Sequence, residues 1–183
     1  MRRFLFLLLA CLLAQTSFAA EVPHAKEKLV SLLVYGQGFV FSVKEPEGWR
    51  GDTQNAAQFS ANIIFYPSSQ SLEEAKTIIR VLVDDKTDEN INEDLAHDMS
   101  EYRAQYPNIM FKNIAISHPE YKVFSKLFTV PNDYFEYVAY VNPGPSKKLM
   151  FSVSMNRQKE EASAQELDVY QKIIASLHML WAL

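Results

Sequence analysis

Cysteine is nearly absent from this sequence, since Cys11 is the only one among 183 residues. It lies in a predicted leader, so the mature chain is expected to have no thiol. This excludes a disulfide framework, a thiol nucleophile, an iron–sulfur cluster and a thiolate zinc site. Glycine is scarce too, at 5 residues, and the sequence has no phosphate-binding glycine loop, no HExxH motif and no G-x-S-x-G elbow. These absences predict a protein that is not an enzyme and carries no cofactor.

Basic residues are also in the minority. The chain has 18 Lys and Arg against 22 Asp and Glu, a formal net charge of −4. Removal of the leader, which contains two Arg and no acid, leaves 16 basic against 22 acidic residues and a net charge of −6. The negative charge of the mature protein disfavours binding to nucleic acid or to anionic lipid, which are themselves negatively charged. We therefore expect no nucleic-acid partner.

A long apolar run occurs only at the N-terminus. Two arginines precede Phe4–Ala14, an apolar run of 11 residues that is too short to span a bilayer. Ser17 and Ala19 supply the small residues of a cleavage site. We expect residues 1–19 to be a signal peptide that is removed on export by the general secretory route. The mature protein is then periplasmic or secreted, with no stable membrane insertion.

Cys11 raises the alternative of a lipoprotein. Leu8–Cys11 has some likeness to a lipid-attachment box, but only seven residues separate Arg3 from Cys11. That is short for the apolar region of a signal peptide. We therefore expect no lipid anchor.

Residues 29–183 predict one domain, because no linker, repeat or low-complexity tract divides them. The polar segment 20–28 before them predicts a flexible N-terminal arm. Along much of the domain, apolar residues follow patterns typical of strands. The predicted strands are 29–35, 39–44, 59–66, 77–83, 121–130, 134–141 and 149–155, with a weaker one at 111–117.

Two segments change to a helical period. Apolar residues in 91–106 recur every three or four positions and predict a central helix. The same spacing in Ala164–Leu180 predicts a C-terminal helix. The apolar stripe of this second helix is Leu167, Tyr170, Ile174, Leu177 and Trp181.

Strands joined by hairpins, with one central and one terminal helix, are typical of the α+β class. Tyr134–Val141 is apolar on both faces, which predicts a central strand covered on both sides. Residues 133–156 predict an antiparallel hairpin, but the sequence does not define which residues of its two strands pair. We expect an antiparallel β-sheet of about six or seven strands packed with the central and the C-terminal helix.

Three stretches carry a likeness to a known fold. Gly38–Val43 runs into Pro46 and Gly48-Trp49, Ala61–Pro67 is a strand that ends in proline, and a β-branched strand, a helix, a hairpin and a terminal helix follow. In this order the chain resembles the PsbP-like fold family, over about residues 29 to 181, and in particular its DcrB-type branch of bacterial envelope proteins. The resemblance implies a protein that acts by binding another protein. It transfers no site residue, because only structural positions match.

An acidic segment at 84–101 is the sharpest local feature. It has a net charge of −7 in 18 residues. A solvated helix start explains such a run, because the helix dipole favours acids there. The alternative is a divalent-cation site, for which Glu93, Asp94 and His97 are the candidate ligands, since they lie three and four apart on a helix. The calcium-loop spacing D-x-[DN]-x-[DN]-G is absent.

Aromatic residues are in surplus, with 12 Phe, 9 Tyr and 2 Trp. Tyr134 and Tyr140 lie on the same face of one predicted strand, and Trp49 follows a turn. They either fill the core or line a surface that binds a partner or an apolar ligand. We treat these three residues as the candidate interaction site.

The sequence thus predicts an exported, periplasmic, non-enzymatic accessory factor that binds an envelope protein. The alternative is a small-ligand or divalent-cation binding module. That module would use the tyrosine-rich sheet face or the acidic segment 84–101.

Overall fold

A computed structural model describes residues 30–87, 91–131, 133–144 and 148–182. The signal peptide expected at 1–19 and the arm expected at 20–28 lie outside these residues. The strands are β1 (Val30–Gly36), β2 (Phe39–Glu45), β3 (Trp49–Asp52), β4 (Ile63–Pro67), β5 (Ile78–Asp85), β6 (Met110–Asn113), β7 (Lys122–Val130), β8 (Tyr134–Asn142), β9 (Leu149–Gln158) and β10 (His178–Ala182). The helices are α1 (Asn92–Gln105) and α2 (Ala164–Ser176), with a 3-10 helix at Ala56–Phe59. Among the described residues, no helix has the length and apolarity needed to cross a membrane.

The strands form two antiparallel sheets. The large sheet has seven strands in the order β3-β4-β5-β9-β8-β7-β6, and the small sheet has three in the order β1-β2-β10. All strand pairs in both sheets are antiparallel. This confirms the α+β class and the predicted sheet of about six or seven strands.

The β8–β9 hairpin confirms the hairpin predicted at 133–156 and defines its register. Tyr134 pairs with Gln158, and Glu136 pairs with Asn156. β8 lies inside the large sheet, between β9 and β7. Both of its faces are covered, as its continuous apolar sequence predicts.

We name the two faces of the large sheet after the helix that covers each. On the α2 face, odd-numbered residues of β5, β8 and β9 join β2 and α2 in the main core. This cluster includes Phe41, Val43, Ile79, Val81, Ala139, Val153, Met155, Tyr170, Ile173 and Ile174. Close packing of this kind is the main source of stability in a domain without disulfides.

The α1 face carries two smaller apolar clusters. One lies under α1 and includes Ile91, Leu95, Met99, Tyr102, Phe128, Val138, Tyr140 and Met150. The other lies beside β4 and includes Ala56, Phe59, Ile64, Tyr66, Ala75 and Ile78. By the strand register, Arg80, Glu136, Ser154 and Asn156 lie on the same face between them.

The C-terminal helix is shorter than predicted. The helix expected over Ala164–Leu180 ends at Ser176, and β10 follows and pairs with β2. Leu177 is buried, but Trp181 lies in β10 and not on the helix stripe. The free edge of β2 offers backbone hydrogen bonds to the last residues, and this non-local pairing overrides their helical spacing.

A capping box begins α2. The Ser163 hydroxyl accepts from the Glu166 N–H at 3.2 Å, and Glu166 Oε2 accepts from the Ser163 N–H at 2.8 Å. Glu166 also accepts from the Thr77 hydroxyl and lies 3.3 Å from Arg157 Nη1. Burial by itself raises the pKa of Glu166, but these hydrogen bonds and the Arg157 charge outweigh it, so that the pKa is lowered from 4.5.

Replacing Glu166 by glutamine is expected to destabilise the protein by about 1–2 kcal/mol at neutral pH. A lowered pKa in the folded state stabilises the fold above the unfolded value of 4.5, and this stabilisation is lost as the pH falls through the folded value. Urea melts of the parent and Glu166→Gln should therefore differ at pH 7 and converge once the pH falls below the lowered pKa of the folded state. A difference that stays constant with pH would contradict the role of the Glu166 charge.

Candidate functional site

The outer face of the small sheet carries exposed apolar side chains. Val34 and Phe41 point inward to the core, so the alternate residues point outward. The register pairs Tyr35 with Val40 and Val40 with Trp181, which makes a row across the three strands. Tyr35 is 72% exposed and Trp181 is 48% exposed. Neighbouring Leu33 is 53% exposed on the same side of β1.

A bulge in β10 enlarges this surface. The register between β10 and β2 shifts between Met179 and Trp181, so Leu180 is the extra residue. Met179 is buried, whereas Leu180 and Trp181 are both exposed. We call the surface formed by Leu33, Tyr35, Val40, Leu180 and Trp181 the outer patch. Exposed apolar patches that contain aromatic residues are typical of protein-binding surfaces.

The candidate Tyr134 takes part in a buried polar cluster on the α1 face. Glu136 is 1% exposed and lies 2.8 Å from Arg80 Nη2 through Oε1. Its Oε2 accepts from the Tyr134 hydroxyl and, at 2.5 Å, from the Tyr102 hydroxyl of α1. The cluster therefore ties β5, β8 and α1 together.

The two tyrosines of this cluster keep their protons. Burial, followed by the neighbouring Glu136 carboxylate, raises the pKa of both Tyr102 and Tyr134 above the ordinary 10.0. Burial of a carboxylate without hydrogen bonds is unfavourable in free energy. Each phenol donates a hydrogen bond to Glu136 and so offsets part of this cost. The arrangement satisfies Glu136 with three donors.

Tyr140 and Trp49, the other two candidates for interaction, have buried side chains. Tyr140 is 2% exposed beneath α1, where its hydroxyl donates to Asp98 Oδ2. Burial raises the pKa of Asp98 although the Tyr140 hydrogen bond acts in the opposite direction. Trp49 is 8% exposed and belongs to the main core. Of the three candidates, Tyr134 is the one with a partly exposed side chain.

The candidate metal ligands do not converge. Asp94 is buried, and its carboxylate accepts from the Thr87 N–H at 3.0 Å. His97 is exposed and lies 3.3 Å from Glu101. Glu93 is exposed as well. Among the described residues, no group of three or more His, Cys, Asp and Glu side chains is placed to hold a metal ion.

The sequence alone did not identify the main residues of the outer patch or of the buried Glu136 cluster. Glu136 stands alone in an apolar strand, and a single carboxylate in such a run is the signal that could have identified it. Trp181 was assigned to a helix stripe because its spacing from Ile174 and Leu177 fits a helix. Tyr35 lies in a segment that is apolar throughout. Its sequence pattern therefore does not show that one face of the strand meets solvent, and the outward direction of Tyr35 follows only from the structure.

The chain was compared with family models, curated proteins and solved structures. No protein-family model matches the chain, and no curated protein matches it. The chain is similar to the solution structure of cyanobacterial PsbP (CyanoP) from Synechocystis sp. PCC 6803, with 12% identity and a TM-score of 0.48. The match covers 76% of this chain and 86% of that chain. It concerns the fold alone, and the DcrB-type branch stays a prediction.

Proposed function

We propose that this chain is an exported, periplasmic and non-enzymatic accessory factor whose outer patch binds another protein of the cell envelope. The observation that carries the proposal is the exposure of Tyr35, Leu33 and Trp181 together on one sheet face. Full burial of one such side chain contributes roughly 1.5–3 kcal/mol of favourable free energy, which is not gained while the side chain is in water. A partner that covers them gains this free energy.

Export is supported by the N-terminal sequence. The arginine pair, the apolar run Phe4–Ala14 and the small residues Ser17 and Ala19 together are typical of a secretory signal peptide. The lack of cysteine after the expected leader, and of nucleophile-elbow, phosphate-loop and HExxH motifs in the sequence, favours a binding role over catalysis.

The partner surface is expected to be apolar at its centre. The row Tyr35–Val40–Trp181 has two aromatic ends and a β-branched middle, and it lacks charge. Aromatic side chains are enriched in the energetically dominant contacts of interfaces. Lys44 and His178 are exposed on the same sheet and supply a polar rim.

A site-specific photocrosslinking experiment tests this function. The full chain, with its leader, is produced in its native host with benzoylphenylalanine in place of Tyr35, and the periplasmic fraction is isolated after irradiation. We expect one adduct with a distinct envelope protein. The same probe at Ala104, exposed on α1, is the matched control and is expected to give none.

The double variant Leu33→Ser with Trp181→Ser should abolish the adduct formed from position 35. Neither residue is buried, so each change is expected to alter stability by about 0.5 kcal/mol or less. An adduct of twice the mass of the chain would contradict the proposal, because the patch would then join two copies. Equal adducts at positions 35 and 104, or no periplasmic protein, would contradict it as well.

A further inference from the structure

A groove of about 680 Å³ opens on the α1 face, away from the outer patch and beside the Glu136 cluster. Its volume lies within the range of small-molecule sites. The groove lies where β5 begins and β9 ends, beside the pair Ile78 and Asn156. Its lining includes Phe59, Ala75, Lys76, Ile78, Asn156 and Lys159, together with Arg80.

One wall of the groove is apolar. Phe59, Ala75 and Ile78 belong to the small cluster beside β4, and all three are only partly buried. An aromatic ring or short alkyl group of a ligand would complete this cluster. The wall therefore favours a ligand with an apolar body.

The remaining surface of the groove is cationic. Arg80 is held by its Nε, which donates to Ser154 at 2.9 Å, and by its Nη2, which donates to Glu136. Within the described residues, Nη1 of Arg80 and the ammonium groups of Lys76 and Lys159 have no hydrogen-bond or ion-pair partner. Among the described residues of the lining, the one acid is Glu160, which lies 2.5 Å from Arg157. A groove of this charge in an acidic chain is complementary to an organic anion.

An unsatisfied buried atom is a second, independent observation. Asn156 Oδ1 is buried and has no hydrogen-bond partner in the part of the chain that the structure describes. A buried acceptor without a donor is unfavourable by about 1–3 kcal/mol. Rotation of the Asn156 side chain toward the groove would expose this atom to a hydroxyl or amino group on a ligand, which would then satisfy it.

We infer that this groove binds a small organic carboxylate with an apolar body and a hydrogen-bond donor beside the carboxylate. The carboxylate lies among Arg80, Lys76 and Lys159, and the body packs on Phe59 and Ile78. The donor bonds to Asn156 Oδ1 once that side chain rotates toward the groove. This site is separate from the protein-binding function proposed above, and neither depends on the other.

Three matched probes separate the features of this ligand. 3-Phenyllactate has the ring, the carboxylate and a hydroxyl donor; 3-phenylpropanoate lacks the hydroxyl; 3-phenylpropanamide also lacks the charge. Titration into the ¹⁵N-labelled mature chain, followed by amide chemical shifts, gives each dissociation constant. We expect phenyllactate to bind tightest and the amide to bind about fivefold or more weaker than phenylpropanoate. The shifts should occur at Phe59, Ala75 and Asn156.

The variant Lys76→Gln with Lys159→Asn removes both free ammonium groups. Asparagine suits position 159, whose φ of 67° is left-handed. This variant should weaken both carboxylates about fivefold and leave the amide unchanged. Lys112→Gln, an exposed lysine on β6, should change none of the three. Equal binding of amide and carboxylate, shifts at Tyr35 and Trp181 instead, or no saturable shifts would each overturn the inference.

Discussion

Replacing Glu136 by leucine is expected to lower the free energy of unfolding by about 2–3 kcal/mol. The change leaves the Arg80 guanidinium without its ion pair and two tyrosine hydroxyls without their acceptor. The Arg80 side chain is 33% exposed and recovers part of its hydration, and Tyr102 and Tyr134 are also only partly buried. The cost therefore comes largely from unsatisfied groups within the cluster.

A second variant keeps this prediction specific to the charge. Glu136→Gln retains the size of the side chain and one acceptor oxygen, so we expect a smaller loss of about 1–2 kcal/mol. Glu101→Gln, at a carboxylate that is 68% exposed, should change stability by about 0.5 kcal/mol or less. Urea melts of the four proteins give the comparison. If Glu136→Leu melts like the parent, the cluster contributes nothing to stability.

Replacing Ile174 by aspartate should leave the protein unfolded or molten. Ile174 is fully buried in the main core and lies on α2 beside Ile173. Burial of an unpaired carboxylate, added to the loss of an apolar side chain, is expected to cost more than about 4 kcal/mol. That loss approaches the net stability of about 5–15 kcal/mol typical of a domain. Far-UV and near-UV circular dichroism would distinguish an unfolded chain from a molten one.

Lys172→Asp is the matched control on the same helix. Lys172 is 50% exposed and forms an ion pair of 3.2 Å with Asp168. Its replacement places two acids four residues apart and should cost no more than about 1 kcal/mol. Should Ile174→Asp and Lys172→Asp both melt like the parent, α2 would not be packed on the sheet in solution.

Local pattern was enough for most of the strands. Phe39, Phe41 and Val43 alternate with more polar residues, and they are the buried side of β2. Helical spacing likewise predicted α1, whose Leu95, Met99 and Tyr102 pack on the large sheet. These features follow from the side-chain periods of strand and helix, which depend on neighbours in sequence.

The C-terminus shows where local pattern fails. Leu177 and Trp181 continue the helical spacing of Ile174, yet the chain leaves the helix at Ser176. The alternative is available because β2 has an edge that His178 and its neighbours can pair with. Spacing within a segment contains no information about a strand more than a hundred residues away.

The candidate site depends even more on distant contacts. The sequence by itself determined that Tyr134 and Tyr140 share one strand face and that the chain has a net negative charge. Only the tertiary structure decided that α1 covers Tyr140 and that, in the part of the chain that the structure describes, no helix covers Tyr35 and Trp181, which are exposed. A side chain's period along the chain determines which face it occupies, but the packing of other elements determines whether that face meets solvent.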